Sequence, residues 1–99
     1  MKAKAWKGPT YGVRVGRANA RRHFKTDWRT VEVEIGGTVR TFRLRPAFWA
    51  KCPEIRGAAI GSWLKRNGLL PWPRGNPPDL ELVHIAGNRF RLTLPSGSA

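Results

Sequence analysis

The sequence predicts an α+β domain rich in β-strands: a small open barrel or pseudobarrel of about five to six short antiparallel strands, with one principal helix over 53–67 and one or two short helices. Eight prolines and eleven glycines in 99 residues favour short elements joined by many turns. Residues 30–44 and 79–94 alternate apolar and polar side chains, as half-buried strands do. After Pro53 the apolar spacing becomes helical.

The chain is long enough for one hydrophobic core, and its 40% apolar residues and five tryptophans are enough to fold it. We expect a single globular domain over 11–95. The basic residues 1–10 are expected to form a flexible arm, and 96–99 a tail.

The domain is expected to begin with a short strand over 11–15, which Gly16 ends. About two turns of helix are predicted over 18–24. Phe24 and Trp28 are large apolar residues in an otherwise basic segment. They are expected to anchor that segment to the core.

A hairpin is predicted over 30–44, with Gly36-Gly37 as its turn. A two-residue turn of type I′ or II′ needs positive φ, which glycine adopts freely. That register places the apolar residues of the first strand on one face and its two glutamates on the other. A three-residue loop would instead pair Glu34 with Arg40, and the sequence leaves both registers open.

Two helices are predicted to begin at prolines, one short over 46–51 and the principal one over 53–67. Asn67-Gly68 provides a left-handed stop for the second. Arg56 falls within its apolar arc, so it is expected to be a structural residue and not a ligand contact. The predicted buried stripe is Ile55, Ala59, Ile60, Trp63 and Leu64.

The last third is predicted to contain an extended connection and two closing strands. Residues 69–78 include four prolines, which exclude a helix or a central strand. Strands are predicted over 79–84 and 89–94, with Glu81 and Arg91 paired on their outer face.

The net charge of +13, from 19 Lys and Arg against six acids, indicates an anionic partner. Nucleic acid is the commonest such partner for a small basic domain. A membrane partner is not expected, because the chain lacks a long basic amphipathic helix and an apolar run of about 20 residues. With a single cysteine and no secretory signal pattern, we expect an intracellular protein, in the cytoplasm, the nucleoid or the nucleus.

Catalysis is not predicted, and no metal or cofactor is expected. His23 and His84 each stand alone, and Cys52 has no second cysteine at the spacing of a zinc site. Cys52 is interpreted as a small buried residue or a helix N-cap. The acids alternate along predicted strands, which is ordinary for a solvent-facing sheet.

The candidate site lies in the first half of the chain. Nine of the nineteen Lys and Arg residues fall between Arg14 and Arg45, against three acids. Arginine forks bind phosphate and guanine edges, and Asn19 could read adenine. We therefore predict a non-enzymatic nucleic-acid-binding domain, with double-stranded DNA favoured over RNA. The predicted binding residues are Arg14, Arg17, Asn19, Arg21, Arg22, Lys25, Arg29, Arg40, Arg43 and Arg45.

An alternative function is a small basic structural subunit or inhibitor that docks on an RNA-containing or other anionic assembly, with a protein partner there. Loose basic tails would favour this alternative. Basic residues set on a sheet and its loops favour the DNA-binding domain.

Residues 13–44 contain a strand, a basic turn, a short helix ending in His-Phe and a Val-rich hairpin. This order resembles the B3 DNA-binding pseudobarrel, and the match resumes at 62–69 and at the closing strands to Leu94. The resemblance implies that Arg14, Arg17, Asn19, Arg21 and Arg22 form a first arm that enters the major groove. The chain departs from the family at 46–61, which reads as helical where the family has a further pair of strands.

Overall fold

The computed structural model describes residues 1–95 as one seven-stranded sheet, curved into a nearly closed barrel, with three helices. The predicted fold class is confirmed. The strands are β1 Lys2–Lys7, β2 Tyr11–Arg14, β3 Thr30–Ile35, β4 Thr38–Arg43, β5 Glu54–Arg56, β6 Asp79–Ala86 and β7 Arg89–Thr93. The helices are α1 Arg17–His23, α2 Pro46–Ala50 and α3 Ala58–Arg66.

The order across the sheet is β4-β3-β7-β6-β1-β2-β5. Neighbouring strands are antiparallel except β3 and β7, which are parallel. The sheet therefore has one strand more than the five to six expected, and one of its pairs is parallel. The outermost strands β4 and β5 approach each other, which nearly closes the barrel.

The predicted basic arm is in fact strand β1, which pairs with β2 on one side and β6 on the other. Ala3 and Ala5 point inward and are buried, while the intervening lysines are exposed. Because alanine contributes so little apolar surface, the alternation was hidden by the lysines. The globular domain therefore includes residues 1–10, and the predicted tail 96–99 lies outside the described residues.

The β3–β4 hairpin has the two-residue turn. Ile35 pairs with Thr38 and Glu34 with Val39, so the three-residue alternative was wrong. Gly36 and Gly37 have φ of 58° and 84°, the positive values that a type I′ turn requires at both positions.

The principal helix is shorter than predicted, because residues 54–56 form β5 and pair with β2. The Pro53 carbonyl accepts a hydrogen bond from the Val15 backbone N–H at 2.8 Å, which extends this pairing. α3 starts only after Gly57, where an added Cβ would lie 2.9 Å from Phe42 Cε1. Residues 46–61 are thus helix, strand and helix, and Arg56 is an exposed strand residue.

The strand registers divide the barrel into two ends. The α1–α2 end consists of α1, residues 24–29, α2 and the β6–β7 turn, and the α3 end of α3, residues 67–78 and the β3–β4 turn. Phe24 closes the α1–α2 end, stacked on Phe90 with ring centroids 5.1 Å apart and 5.2 Å from the ring of Phe48. α3 closes the other end with three buried residues, Ile60, Trp63 and Leu64. No helix within residues 1–95 is long and apolar enough to cross a membrane.

Candidate nucleic-acid interface

The α1–α2 end collects basic residues because several elements terminate there. Arg14 is the last residue of β2 and Arg43 the last of β4. Arg45 occupies the position just before α2, and Arg17 begins α1. Antiparallel pairing brings these strand ends to the same rim of the barrel, so residues far apart in the chain share one surface.

α1 is held in place by Asn19. Its side-chain Nδ2 donates to the carbonyls of Lys2 at 2.6 Å and Val15 at 3.0 Å, which attaches the helix to β1 and to the end of β2. Both amide hydrogens are therefore occupied within the domain. An Asn bound in this way lacks the free donor that bidentate recognition of adenine needs, so the structure makes Asn19 a positioning residue.

Eight basic side chains on α1, residues 24–29, the end of β4 and the two caps of α2 are exposed and have no acidic partner within residues 1–95. We call them the cationic set. Six are arginines, which match phosphate geometry better than lysine does. The cationic set is Arg17, Arg21, Arg22, Lys25, Arg29, Arg43, Arg45 and Lys51.

Lys51 is the member that the sequence did not indicate. It is the C-cap of α2 and lies beyond the basic run that ended at Arg45. An isolated lysine after a short predicted helix carries no signal of its own. Only the packing of α2 beside α1, across a cavity of about 140 Å³ lined by Arg17, Arg21 and Trp49, places it on this surface.

Besides Asn19, two predicted binding residues are outside the cationic set. Arg14 donates from Nε and Nη2 to Glu54 Oε2 at 3.0 and 2.9 Å, and the Glu54 side chain is only 3% exposed. Arg40 lies in the middle of β4, opposite Val33, and so is away from the rim. Arg14 belongs to the end but is neutralised, and Arg40 belongs to the barrel wall.

Acidic residues pair along the wall of the barrel. Glu32 accepts from Arg89 at 2.7 Å, and Glu34 accepts from Arg91 across the same β3–β7 strand pair. Glu81 binds the amino group of Met1 at 2.7 Å, so the predicted Glu81–Arg91 pair was wrong. With Asp79–Lys4 and Glu54–Arg14, five of the six acids are in ion pairs. The sixth acid, Asp27, is exposed between Lys25 and Arg29 and forms no ion pair within residues 1–95, so the cationic set keeps a large excess of positive charge.

A second cavity at this end, of about 430 Å³, combines charge with aromatic surface. Arg22, Lys25, Trp28 and His84 are among its lining residues. Trp28 is half-buried, with its ring 5.7 Å from that of Phe24. His84 lies near the end of β6, and the sequence did not indicate that it would share a cavity with Arg22 and Trp28.

No protein-family model, curated protein or solved structure matches this chain.

The residues considered for other chemistry remain dispersed. Within residues 1–95, no three His, Cys, Asp or Glu side chains come together as ligands for a metal ion. Cys52 is exposed, and the prediction that it is buried was wrong. Cys52 follows α2, and its backbone N–H donates a hydrogen bond to the Ala47 carbonyl at 2.9 Å. Its side chain points out of the core.

Proposed function

We propose that this chain is a non-enzymatic nucleic-acid-binding domain whose α1–α2 end contacts double-stranded DNA. The observation that carries the proposal is the cationic set: eight exposed basic side chains at one end, without acidic partners in residues 1–95. Such a surface condenses anions, and release of counterions from a nucleic acid supplies the binding free energy.

The helix that carries three members of the cationic set is fixed to the barrel, and a rigid surface favours a rigid ligand such as a duplex. α1 is tied to the sheet by Asn19 and to the core by Ala20 and Phe24, which are both buried. Basic side chains on a fixed frame lose less conformational entropy on binding than those on a loose tail. In the B3-like binding mode that the sequence resembles, residues 14–22 are the arm that enters the major groove, and here they contain α1.

Salt dependence tests the proposal. If about six members of the cationic set neutralise phosphates, log K should fall with log salt at a slope of about −5, from about −0.9 per phosphate. Replacing Arg21 and Arg22 together with alanine should flatten that slope by about two units, since both are exposed on α1. Binding is measured by titration of a duplex at several salt concentrations.

The matched control is Lys65 and Arg66 replaced together with alanine. These residues are also exposed, adjacent and in the last turn of a helix, but they lie at the α3 end. The control should leave the slope nearly unchanged. Equal losses in the two double variants would mean that total charge alone drives binding, and would refute an oriented interface.

One observation favours the alternative function, docking on an RNA-containing or other anionic assembly. The α3 end also has exposed basic residues without acidic partners in residues 1–95, among them Lys65, Arg66 and Arg74. A protein embedded in such an assembly would use both ends. Tighter binding to structured RNA than to duplex DNA, with both double variants affected, would replace the DNA proposal by this one.

A further inference from the structure

One cavity at the α1–α2 end combines aromatic rings with basic side chains. It has a volume of about 430 Å³, and we call it the Trp28 cavity. That volume is within the range of about 300–1,000 Å³ that small-molecule sites occupy, whereas the cavity beside Trp49 is only about 140 Å³. The described residues that line the Trp28 cavity are Arg22, His23, Lys25, Trp28, His84 and Gly87.

Two aromatic rings of the Trp28 cavity are held in place by contacts with the core. Trp28 is half-buried, and its ring centroid lies 5.7 Å from that of Phe24 and 6.4 Å from that of Phe90. His84 is exposed, and its ring centroid lies 5.3 Å from that of Phe90. His84 Nε2 donates a hydrogen bond to the Gly87 carbonyl at 2.8 Å, since a carbonyl can only accept. Rings held in this way lose little conformational entropy when a ligand stacks on them.

We propose that the Trp28 cavity binds one unpaired nucleobase of a DNA strand whose backbone lies on the cationic set. The inference rests on the proposed function, which supplies the strand. Every base has a π-face, so bases of any identity stack on aromatic side chains. Arg22 and Lys25 belong both to the cationic set and to the lining of the cavity. The phosphates that flank the bound base therefore meet cations at the rim of the cavity.

The base must be unpaired, because both faces of a base inside a duplex are covered by its neighbours in the stack. A side chain reaches such a face only after the base has left the stack, and this extrusion costs free energy. The cost is smallest for a base that has no pairing partner. The ligand expected for the Trp28 cavity is therefore a duplex with an unpaired nucleotide, such as a single-base bulge.

The first experiment compares two bulged duplexes that differ at one position. One has an adenine at the bulge, and the other has an abasic residue there. The adenine bulge should bind about tenfold more tightly, because only it can stack on Trp28 and His84. Both duplexes have the same number of phosphates and a bulge at the same place, so the difference in affinity measures the base alone.

Variants test whether the Trp28 cavity is the source of this preference. The preference for the adenine bulge should disappear in Trp28→Ala and become smaller in His84→Ala. Trp28 packs against Phe24, which is buried, so thermal unfolding of each variant is measured first. If Trp28→Ala does not fold, His84→Ala decides the question, because His84 is exposed.

The matched control is Trp49→Ala. Trp49 is another half-buried tryptophan at the α1–α2 end, but it is outside the described lining of the Trp28 cavity. Its loss should leave the preference for the adenine bulge intact.

The second experiment uses the unaltered protein and a photoreactive base. 5-Iodouracil replaces the bulged base, and irradiation cross-links it to an aromatic side chain that it contacts. Mass spectrometry should locate the cross-link at Trp28 or His84. A duplex in which the same 5-iodouracil is paired with adenine should give no cross-link at either residue.

The outcomes separate this inference from the proposed function. Equal affinity for the adenine and abasic bulges would overturn the base site and leave duplex binding standing, as would cross-links that lie only outside the cavity. A preference that persists unchanged in every folded variant would also overturn the base site. Tighter binding of a single strand than of either duplex, with a cross-link at Trp28, would support the base site and overturn the double-stranded DNA proposal. Failure of all these DNAs to bind would overturn both.

Discussion

The two ends of the barrel are covered by different helices, which bury different amounts of apolar surface. At the α3 end, one helix of nine residues inserts Ile60, Trp63 and Leu64 into the core. At the α1–α2 end, two short helices each bury a single residue, Ala20 in α1 and Phe48 in α2. A cavity of about 400 Å³ between β4 and β5 and the two cavities beside α1 also lie at this second end. The apolar helix surface that stabilises the fold is thus concentrated at one end. The larger cavities and most of the unpaired basic residues within residues 1–95 are at the other.

α1 and α3 also differ in whether all of their charged residues are at the helix end that the helix dipole favours. Lys65 and Arg66 lie in the last turn of α3, where the helix dipole favours cations. Arg17 is the first residue of α1, where the dipole disfavours a cation, and it faces Arg21 four residues later. Departures from local rules are expected where a sequence serves binding more than stability. The comparison shows that the charges of α3 agree with its dipole and its buried face stabilises the core, whereas Arg17 at the start of α1 opposes the dipole of that helix.

The largest expected effect concerns the α3 end. Trp63 is 6% exposed at the centre of the buried face of α3. Trp63→Ala should lower the free energy of unfolding by about 3–5 kcal/mol, the range for deleting a buried large aromatic side chain. Chemical denaturation followed by circular dichroism measures it.

The matched control is Trp49→Ala at the α1–α2 end. Trp49 is on α2 and only half-buried, so its loss should cost clearly less than that of Trp63. Equal losses at the two tryptophans would break the comparison, because both ends would then contribute alike to stability.

A smaller effect of opposite sign is expected at α1. Arg17→Gln removes a cation from the helix start and a like-charge contact with Arg21, so it should raise the free energy of unfolding by about 0.5–1 kcal/mol at low salt. It should also weaken DNA binding. Denaturation of the free protein at low and high salt measures the first effect, and the stabilisation should shrink as salt screens the charges.

Lys65→Gln is the control for this prediction. It removes a cation from the favourable end of α3 and should destabilise by a few tenths of a kcal/mol. If Arg17→Gln and Lys65→Gln shifted stability in the same direction, the contrast between the two helices would be refuted.

The parts of the fold that were predictable are those decided locally. Gly36-Gly37 favours a two-residue turn by itself, and Pro46 favours a helix start. Phe24 is a large apolar residue in a basic segment, so its burial was also predictable. Strand β1 was missed because Ala3 and Ala5 bury little surface, and their burial depends on pairing with residues about 75 positions later.

β5 was missed for a related reason. Ile55 precedes Ala59 by four residues and so fits a helical stripe, and only β2 on the facing side makes a strand of it.

The candidate site divides in the same way. Arg17, Arg21 and Arg22 were found because they are close together in the sequence. Lys51 joins the α1–α2 end only through the packing of α2 beside α1. Pairing also takes Arg14 out of the cationic set, since the acid that neutralises it is forty residues away. Sequence proximity identifies a basic segment, and tertiary structure decides which of its members remain free.

The smallest expected effect tests the wall between the two ends, where charges are paired. Asp79 on β6 accepts a hydrogen bond from Lys4 Nζ on β1 at 2.7 Å. That hydrogen bond, with the charge of Lys4, lowers the pKa of the Asp79 carboxyl below its usual value of 3.8. Because the folded pKa is depressed, the pair stabilises the fold above about pH 3.8, and this contribution is lost as the pH falls through the lower folded pKa. Both side chains are largely exposed, so the gain in stability from this ion pair is small.

An NMR titration of the Asp79 carboxyl measures this pKa. It should return towards the usual value in Lys4→Gln and move less in Lys2→Gln, since Lys2 is the weaker influence. An unchanged titration in Lys4→Gln would mean that the Lys4–Asp79 ion pair does not form in solution.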